Sequence, residues 1–276
     1  MRIQQRFIGM ISILLMTILL AACSGQSTSS DIQQEEKPRD VKQTFLYYTE
    51  EYVDPDGYSI GDLYLKNVGN DEMDKISTGV KNGQFFYDNE SEKVLFVNHE
   101  NVLFEYGVSK NKVKLAEGVS TFQLGNDQAP VTYHNESGDL YIVKEDKEVE
   151  KIASAVYQHE LIDEDLYYVT SDGHLRVYNI ESRVEEDIAN QAFYFVIFNK
   201  AGDLAYINDD SFLYYRNGED GDNIKISSHE VSSENIQLID GKLVYIGNDG
   251  NDTMALFTAN VTGEGTVQKI ASEVND

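Results

Sequence analysis

From Thr44 onward the apolar residues fall into short clusters separated by polar turns, and no segment sustains a helical period. One cluster ends in an aromatic and recurs six times: Phe45-Leu46-Tyr47, Val94-Leu95-Phe96, Val131-Thr132-Tyr133, Leu166-Tyr167-Tyr168, Leu204-Ala205-Tyr206 and Leu243-Val244-Tyr245. Successive aromatics stand 49, 37, 35, 38 and 39 residues apart. A second strand follows each, keyed by Leu63, Leu103, Leu140, Leu175, Leu213 and Leu256. A third then carries Ile76, Leu115, Ile152, Ile188, Ile226 and Ile270. Three markers holding one order through six copies predict a repeat architecture.

The strand composition, rich in Tyr, Phe, Val, Leu and Ile, is that of a half-buried β-surface. Between strands, Asn135-Glu136-Ser137-Gly138, Ser171-Asp172-Gly173-His174 and Asn248-Asp249-Gly250-Asn251 supply the positive φ that tight hairpins need. A leading strand precedes most copies: Gln84 to Tyr87, Thr121 to Leu124, Tyr157 to Ile162, Phe193 to Phe198 and Asn235 to Ile239. Four strands per unit of about 38 residues fits a propeller blade. Residues 31–43 are too polar for such a strand, so the first unit is expected to have three strands or to close differently. Closure of the ring is expected all the same, because an open sheet leaves an edge that pairs with other chains.

These units resemble the propeller repeats of TolB-like exported bacterial proteins. The likeness rests on Asp163-Glu164-Asp165-Leu166-Tyr167-Tyr168-Val169, on Lys200 to Ile207, and on Gly138-Asp139-Leu140-Tyr141-Ile142 and Gly61-Asp62-Leu63-Tyr64-Leu65. It covers residues 44–273, and the Ser-Pro-Asp-Gly turn usual in that family is missing. What the resemblance implies is an all-β, six-bladed β-propeller with a central channel, usually a scaffold for protein or ligand contact.

Ahead of the repeats lies a different pattern. Arg2 and Arg6 precede an uncharged apolar run from Phe7 to Leu20, and Leu20-Ala21-Ala22-Cys23 closes it. The run is shorter than a spanning helix wants and ends in small residues. It resembles the lipobox of bacterial lipoproteins, which implies a signal peptide over 1–22 and acylation of Cys23, with palmitate-type chains. Residues 24–43 are polar and aperiodic, a flexible tether of about 25 Å mean span as a coil. The expected domains are therefore 1–22, 23–43 and a propeller over 44–276, held by its lipid at the extracytoplasmic face of the cell membrane.

Losing Arg2 and Arg6 leaves 20 basic against 48 acidic side chains, a net charge of −28. Such a surface excludes nucleic acid as a partner and keeps the protein off anionic lipid, so membrane contact is through the anchor only. It suits a basic protein or peptide of the cell envelope. Solubility alone also explains the charge.

Reaction centres are scarce in the chain. His99, His159 and His229 are each followed by glutamate, yet none continues into H-E-x-x-H. There is no G-x-S-x-G, no P-loop, and Cys23 is the single cysteine. Asp54, Asp56 and Asp62, with Gly57 and Gly61 among them, form the best calcium candidate, although a solvated hairpin explains them equally. The clusters Asp163-Glu164-Asp165 and Glu185-Glu186-Asp187 flank turns and read as a solvated rim. The repeated aromatics read as core between blades. Polar residues that break the repeat near the leading strands are the candidate channel lining: Asp88, Gln123, Asn126, His159, Glu160 and Asn199. The first reading is a non-catalytic binding scaffold without cofactor. The alternative is a small-ligand or metal-dependent, lactonase-like hydrolase using the channel. Sugar binding is weakened by the lack of tryptophan, though 18 tyrosines leave it open.

Overall fold

In the computed structural model the described residues are 44–272, without 56, 68–72, 90, 108, 126–129, 219–220, 233–234, 252 and 262–266. The expected signal peptide, Cys23, the tether, Asp56 and Asn126 lie outside them. The described residues contain strands and no helix. A six-stranded antiparallel sheet comes first: β1 (Thr44–Val53), β2 (Ser59–Asn67), β3 (Met73–Asp88), β4 (Lys93–Asn98), β5 (Leu103–Tyr106) and β6 (Lys112–Ala116). The second sheet holds β7 (Val119–Leu124), β8 (Val131–Asn135), β9 (Leu140–Val143) and β10 (Val149–Ala153). The third holds β11 (Val156–Ile162), β12 (Asp165–Thr170), β13 (Leu175–Asn179) and β14 (Val184–Ala189). The fourth holds β15 (Ala192–Ile197), β16 (Leu204–Asn208), β17 (Leu213–Arg216) and β18 (Ile224–Lys225). In the fifth are β19 (Gln237–Ile239), β20 (Lys242–Asn248), β21 (Met254–Asn260) and β22 (Gln268–Ser272).

The first sheet is two halves sharing one strand. β2 pairs with the start of β3, Met73 to Lys81, whereas β4 pairs chiefly with its end, Phe85 to Asp88. Gly79 and Gly83, both at positive φ, lie at the changeover. The halves pack on each other through Leu63, Ile76 and Val80 against Val94, Phe96 and Tyr106. Among the described residues the first half thus has three strands, with β1 at its open edge and no leading strand.

Register explains why the sequence markers recur. The residue after each marker aromatic stands opposite the marker leucine: Tyr48 with Leu63, Val97 with Leu103, His134 with Leu140, Val169 with Leu175, Ile207 with Leu213 and Ile246 with Leu256. Alternation along a strand then sends the aromatic to one face and the leucine to the other. Each joint between consecutive sheets, or between the halves of the first, therefore receives a leucine from one side and an aromatic from the other. Leu63 meets the cluster of Phe96, and Leu103 that of Tyr133. Leu140 shares its cluster with Tyr168, Leu175 with Tyr206, and Leu213 with Tyr245. One aromatic departs from the expectation of uniform core: Tyr47 is 45% exposed. Leu256 is half-buried and Ile270 is exposed, and neither joins the five clusters. By position in the repeat, these three are the markers that stand outside the five packed joints.

The hairpins after the aromatic strands carry a device that the markers do not include. The side chain of Asn98, Asn135 and Asn208, or the hydroxyl of Thr170, accepts a backbone N–H from across its turn, and Asn248 accepts that of Gly250 within its turn. Asp54 does the same for Tyr58 in the first half-sheet. An Asn or Thr side chain here replaces a backbone acceptor and fixes the turn. Gly138, Gly173 and Gly250 stand at positive φ, as the turn chemistry requires.

Candidate functional site

β11 is the leading strand of the third sheet, and its side chains reach both neighbours. On one side Gln158 donates from Nε2 to the carbonyl of Phe195 at 2.7 Å and accepts the N–H of the same residue at 3.2 Å. Glu160, two residues on, accepts the backbone N–H of Ile197. Both partners lie on β15, whose leading edge has no strand beside it among the described residues. The amide and carboxylate of β11 take the place of that ladder. Burial pushes the Glu160 carboxyl above the usual carboxylate range, against the pull of its hydrogen bond.

On the other side His159 points into the joint with the second sheet. Its Nε2 lies 2.9 Å from Thr132 Oγ1 and its Nδ1 lies 3.0 Å from His134 Nε2. His159 is 4% exposed and Thr132 is fully buried. Desolvation first, and the neighbouring His134 second, push His159 down to about 3; burial lowers His134 as well. Both rings are therefore neutral at pH 7. Two proton arrangements satisfy the chain: Thr132 donates to His159 and His159 to His134, or every bond runs the other way. Tyr168 faces His159 across the ladder, and its hydroxyl is bound to Glu185.

A hydroxyl, an imidazole and a second imidazole in sequence have the form of an activated nucleophile. Accessibility decides against that use here. A nucleophile must meet its substrate, and the Thr132 hydroxyl belongs to a residue with no exposed surface. The three side chains instead make a buried polar contact in the joint, in which Thr132 Oγ1 and both ring nitrogens of His159 have partners.

The expected channel residues are placed as follows. His159 and Glu160 turn to opposite neighbours, and Gln123 is exposed on β7, its backbone opposite Thr132. Asp88 accepts a bond from the Ser91 hydroxyl in the turn that follows β3. Asn199 accepts the N–H groups of Ala201 and Asp203 and donates to the Asp203 carboxylate, so it fixes the turn after β15. Of the calcium candidates, Asp54 accepts the N–H of Tyr58 within its hairpin. Asp62 is 6% exposed on β2, where Oδ2 takes the ammonium of Lys75 and the hydroxyl of Tyr64, leaving Oδ1 buried without a partner. Among the described residues no group of three or more His, Cys, Asp or Glu side chains is arranged to hold a metal ion.

His134 and Thr132 were not among the sequence candidates. His134 carried a readable signal, because the position after the marker aromatic holds Tyr, Val, Val, Ile and Ile in the other five copies. A histidine there breaks an apolar position that the register sends into a joint.

No family model and no curated protein matches the chain. Solved structures do resemble it in part. An oligogalacturonate lyase in complex with manganese shares 11% identity at a TM-score of 0.47, over 84% of this chain and 86% of that one. An oligogalacturonate lyase from Vibrio parahaemolyticus shares 14% at 0.45, over 87% and 81%. A puromycin-hydrolysing peptidase of Mycobacterium tuberculosis shares 10% at 0.48, over 83% of this chain and 45% of the peptidase. The all-β repeat of antiparallel sheets fits a propeller, and these likenesses assign no activity to it.

Proposed function

We propose that this chain is a lipid-anchored, extracytoplasmic six-bladed propeller that acts as a non-catalytic scaffold for a basic protein or peptide. The two halves of the first sheet and the four sheets after it supply the six blades. Tyr47 on one side, with Leu256 and Ile270 on the other, supplies the sixth joint by the same aromatic-to-leucine rule that the five packed joints follow. Cys23 carries the lipid, and the polar segment behind it lets the propeller reorient beside the membrane.

The charge excess is the observation that carries the binding proposal. Acidic side chains number 48 against 22 basic ones, and many of the bases already hold partners. Lys75, Lys93, Lys110, Lys114, Lys144, Lys147, Lys151, Lys200, Lys269 and Arg176 are all in ion pairs. The surplus carboxylates give a field that draws cationic surfaces and rejects anionic ones.

Binding of the purified full chain, in non-ionic detergent, to immobilised poly-lysine and to a polyglutamate control tests this reading. Capture by the polycation alone, lost between about 0.05 and 0.5 M salt, is the expected result. Absence of capture at low salt overturns the reading. So does one tightly held metal ion per chain that is lost in Glu160→Gln, because the channel would then hold a metal centre.

A further inference from the structure

Among the described residues the first half-sheet differs from every other sheet in lacking a leading strand. By register β1 corresponds to β4, β8, β12, β16 and β20, each of which has a strand on its leading side: the end of β3, then β7, β11, β15 and β19. β1 pairs only with β2, so one whole edge of a ten-residue strand is open among the described residues. Edges of this kind are normally guarded by lysine, proline, a bulge or a covering loop. From Thr44 to Glu50 β1 contains no lysine and no proline, and its pairing with β2 is regular until the shift between Glu50 and Tyr52.

The side chains of β1 are apolar and aromatic at its start, acidic at Glu50 and Glu51, and apolar and exposed again at Tyr52 and Val53. Phe45 and Tyr47 are about half exposed on one face. Leu46 and Tyr48 are packed on the other, where the Tyr48 hydroxyl donates to the carbonyl of Ser59 at 2.9 Å. Glu50 and Glu51 are exposed and close enough to Tyr48 to raise its hydroxyl pKa behind the larger effect of burial. The open edge is therefore held rigidly from behind, lined by aromatic rings, and closed by two carboxylates.

We infer that β1 is a strand-addition site, taking an extended basic peptide antiparallel along Thr44 to Glu50 as the missing leading strand. This rests on the scaffold reading and names its site. β11 shows how such a strand is accommodated: its alternate side chains reach the sheets on both sides while its backbone pairs with the aromatic strand. An added strand would place apolar side chains against Phe45 and Tyr47 and its cations at Glu50 and Glu51. Main-chain bonds give affinity in this mode, and alternate side chains give selectivity.

The test uses the full chain in non-ionic detergent and a heptapeptide of alternating lysine and valine. A second peptide of the same sequence is N-methylated at alternate amides, which keeps the charge and removes ladder donors. Binding of the first with slowed amide exchange over Thr44 to Glu50, at least about tenfold weaker for the methylated peptide and for Glu50→Lys/Glu51→Lys, supports the inference. Equal binding of the two peptides overturns it, as does unchanged exchange in β1. Either result leaves the scaffold reading standing if poly-lysine is still captured. Binding that emerges only after residues 31–43 are replaced by a glycine-serine segment also overturns it, because the chain's own upstream segment would then occupy the edge.

Discussion

Replacing His159 by asparagine should flatten the response of this protein to mild acid. In the folded chain His159 is neutral with a pKa near 3, against about 6.5 in an unfolded chain. The folded state therefore binds fewer protons, and the stabilisation from keeping the ring neutral is fully present above pH 6.5. It is lost progressively as the pH falls towards 3. Linkage puts the loss at about 2 kcal/mol between pH 7 and pH 5, and about 3 kcal/mol by pH 4. His134 is lowered too and acts in the same direction. Asparagine at 159 can still bond Thr132 but carries no titrating group. Urea unfolding of both proteins at pH 7, 6 and 5 gives the two slopes. Subtracting one from the other cancels the carboxylates, which titrate alike in each. If the wild-type chain loses no more stability than His159→Asn between pH 7 and 5, within about 0.5 kcal/mol, the ring is not held neutral by burial and the account of the joint fails.

Two other perturbations follow from the joints and the strand pairing. Gln158→Ala strands both the N–H and the C=O of Phe195 and should cost about 1–3 kcal/mol, read as a lower urea midpoint at unchanged slope. A midpoint equal to wild type would mean that water replaces the amide without loss. Gly61→Ala places a Cβ 1.9 Å from the Thr49 carbonyl oxygen, so β1 must leave its register with β2. The cost should exceed the roughly 3 kcal/mol usual for overpacking, with faster amide exchange confined first to Thr44 to Val53; wild-type exchange there would refute the close approach.

The repeat was legible because each unit repeats the same register, and register fixes both the face and the neighbour of every marker residue. Tyr47 shows the limit of that logic. Its sequence context matches the other five aromatics, but burial depends on the sheet standing opposite, and local pattern carries no information about that sheet. Asp62 shows a second limit, since its ion pair with Lys75 comes from a partner 13 residues away on the next strand. The direction of β11 side chains was hidden for another reason. The register shift between Val156 and Gln158 moves the alternation by one residue, so Gln158, His159 and Glu160 do not face where a simple count from the strand start would put them. The break at His134, in contrast, was visible and needed only the register to interpret it.

β3 bears on how such a chain gains or loses repeats. The second, third and fourth sheets are each entered by a two-residue crossing, Glu117-Gly118, Ser154-Ala155 and Asn190-Gln191, each with one residue in the left-handed region. A segment cut from one crossing to the next removes a complete sheet and leaves matching ends, so recombination can duplicate or delete these modules cleanly. The first two sets of strands have no such seam. A cut anywhere in β3 takes from one half-sheet its outermost strand or from the other its innermost, so the amino-terminal pair must be inherited as one block.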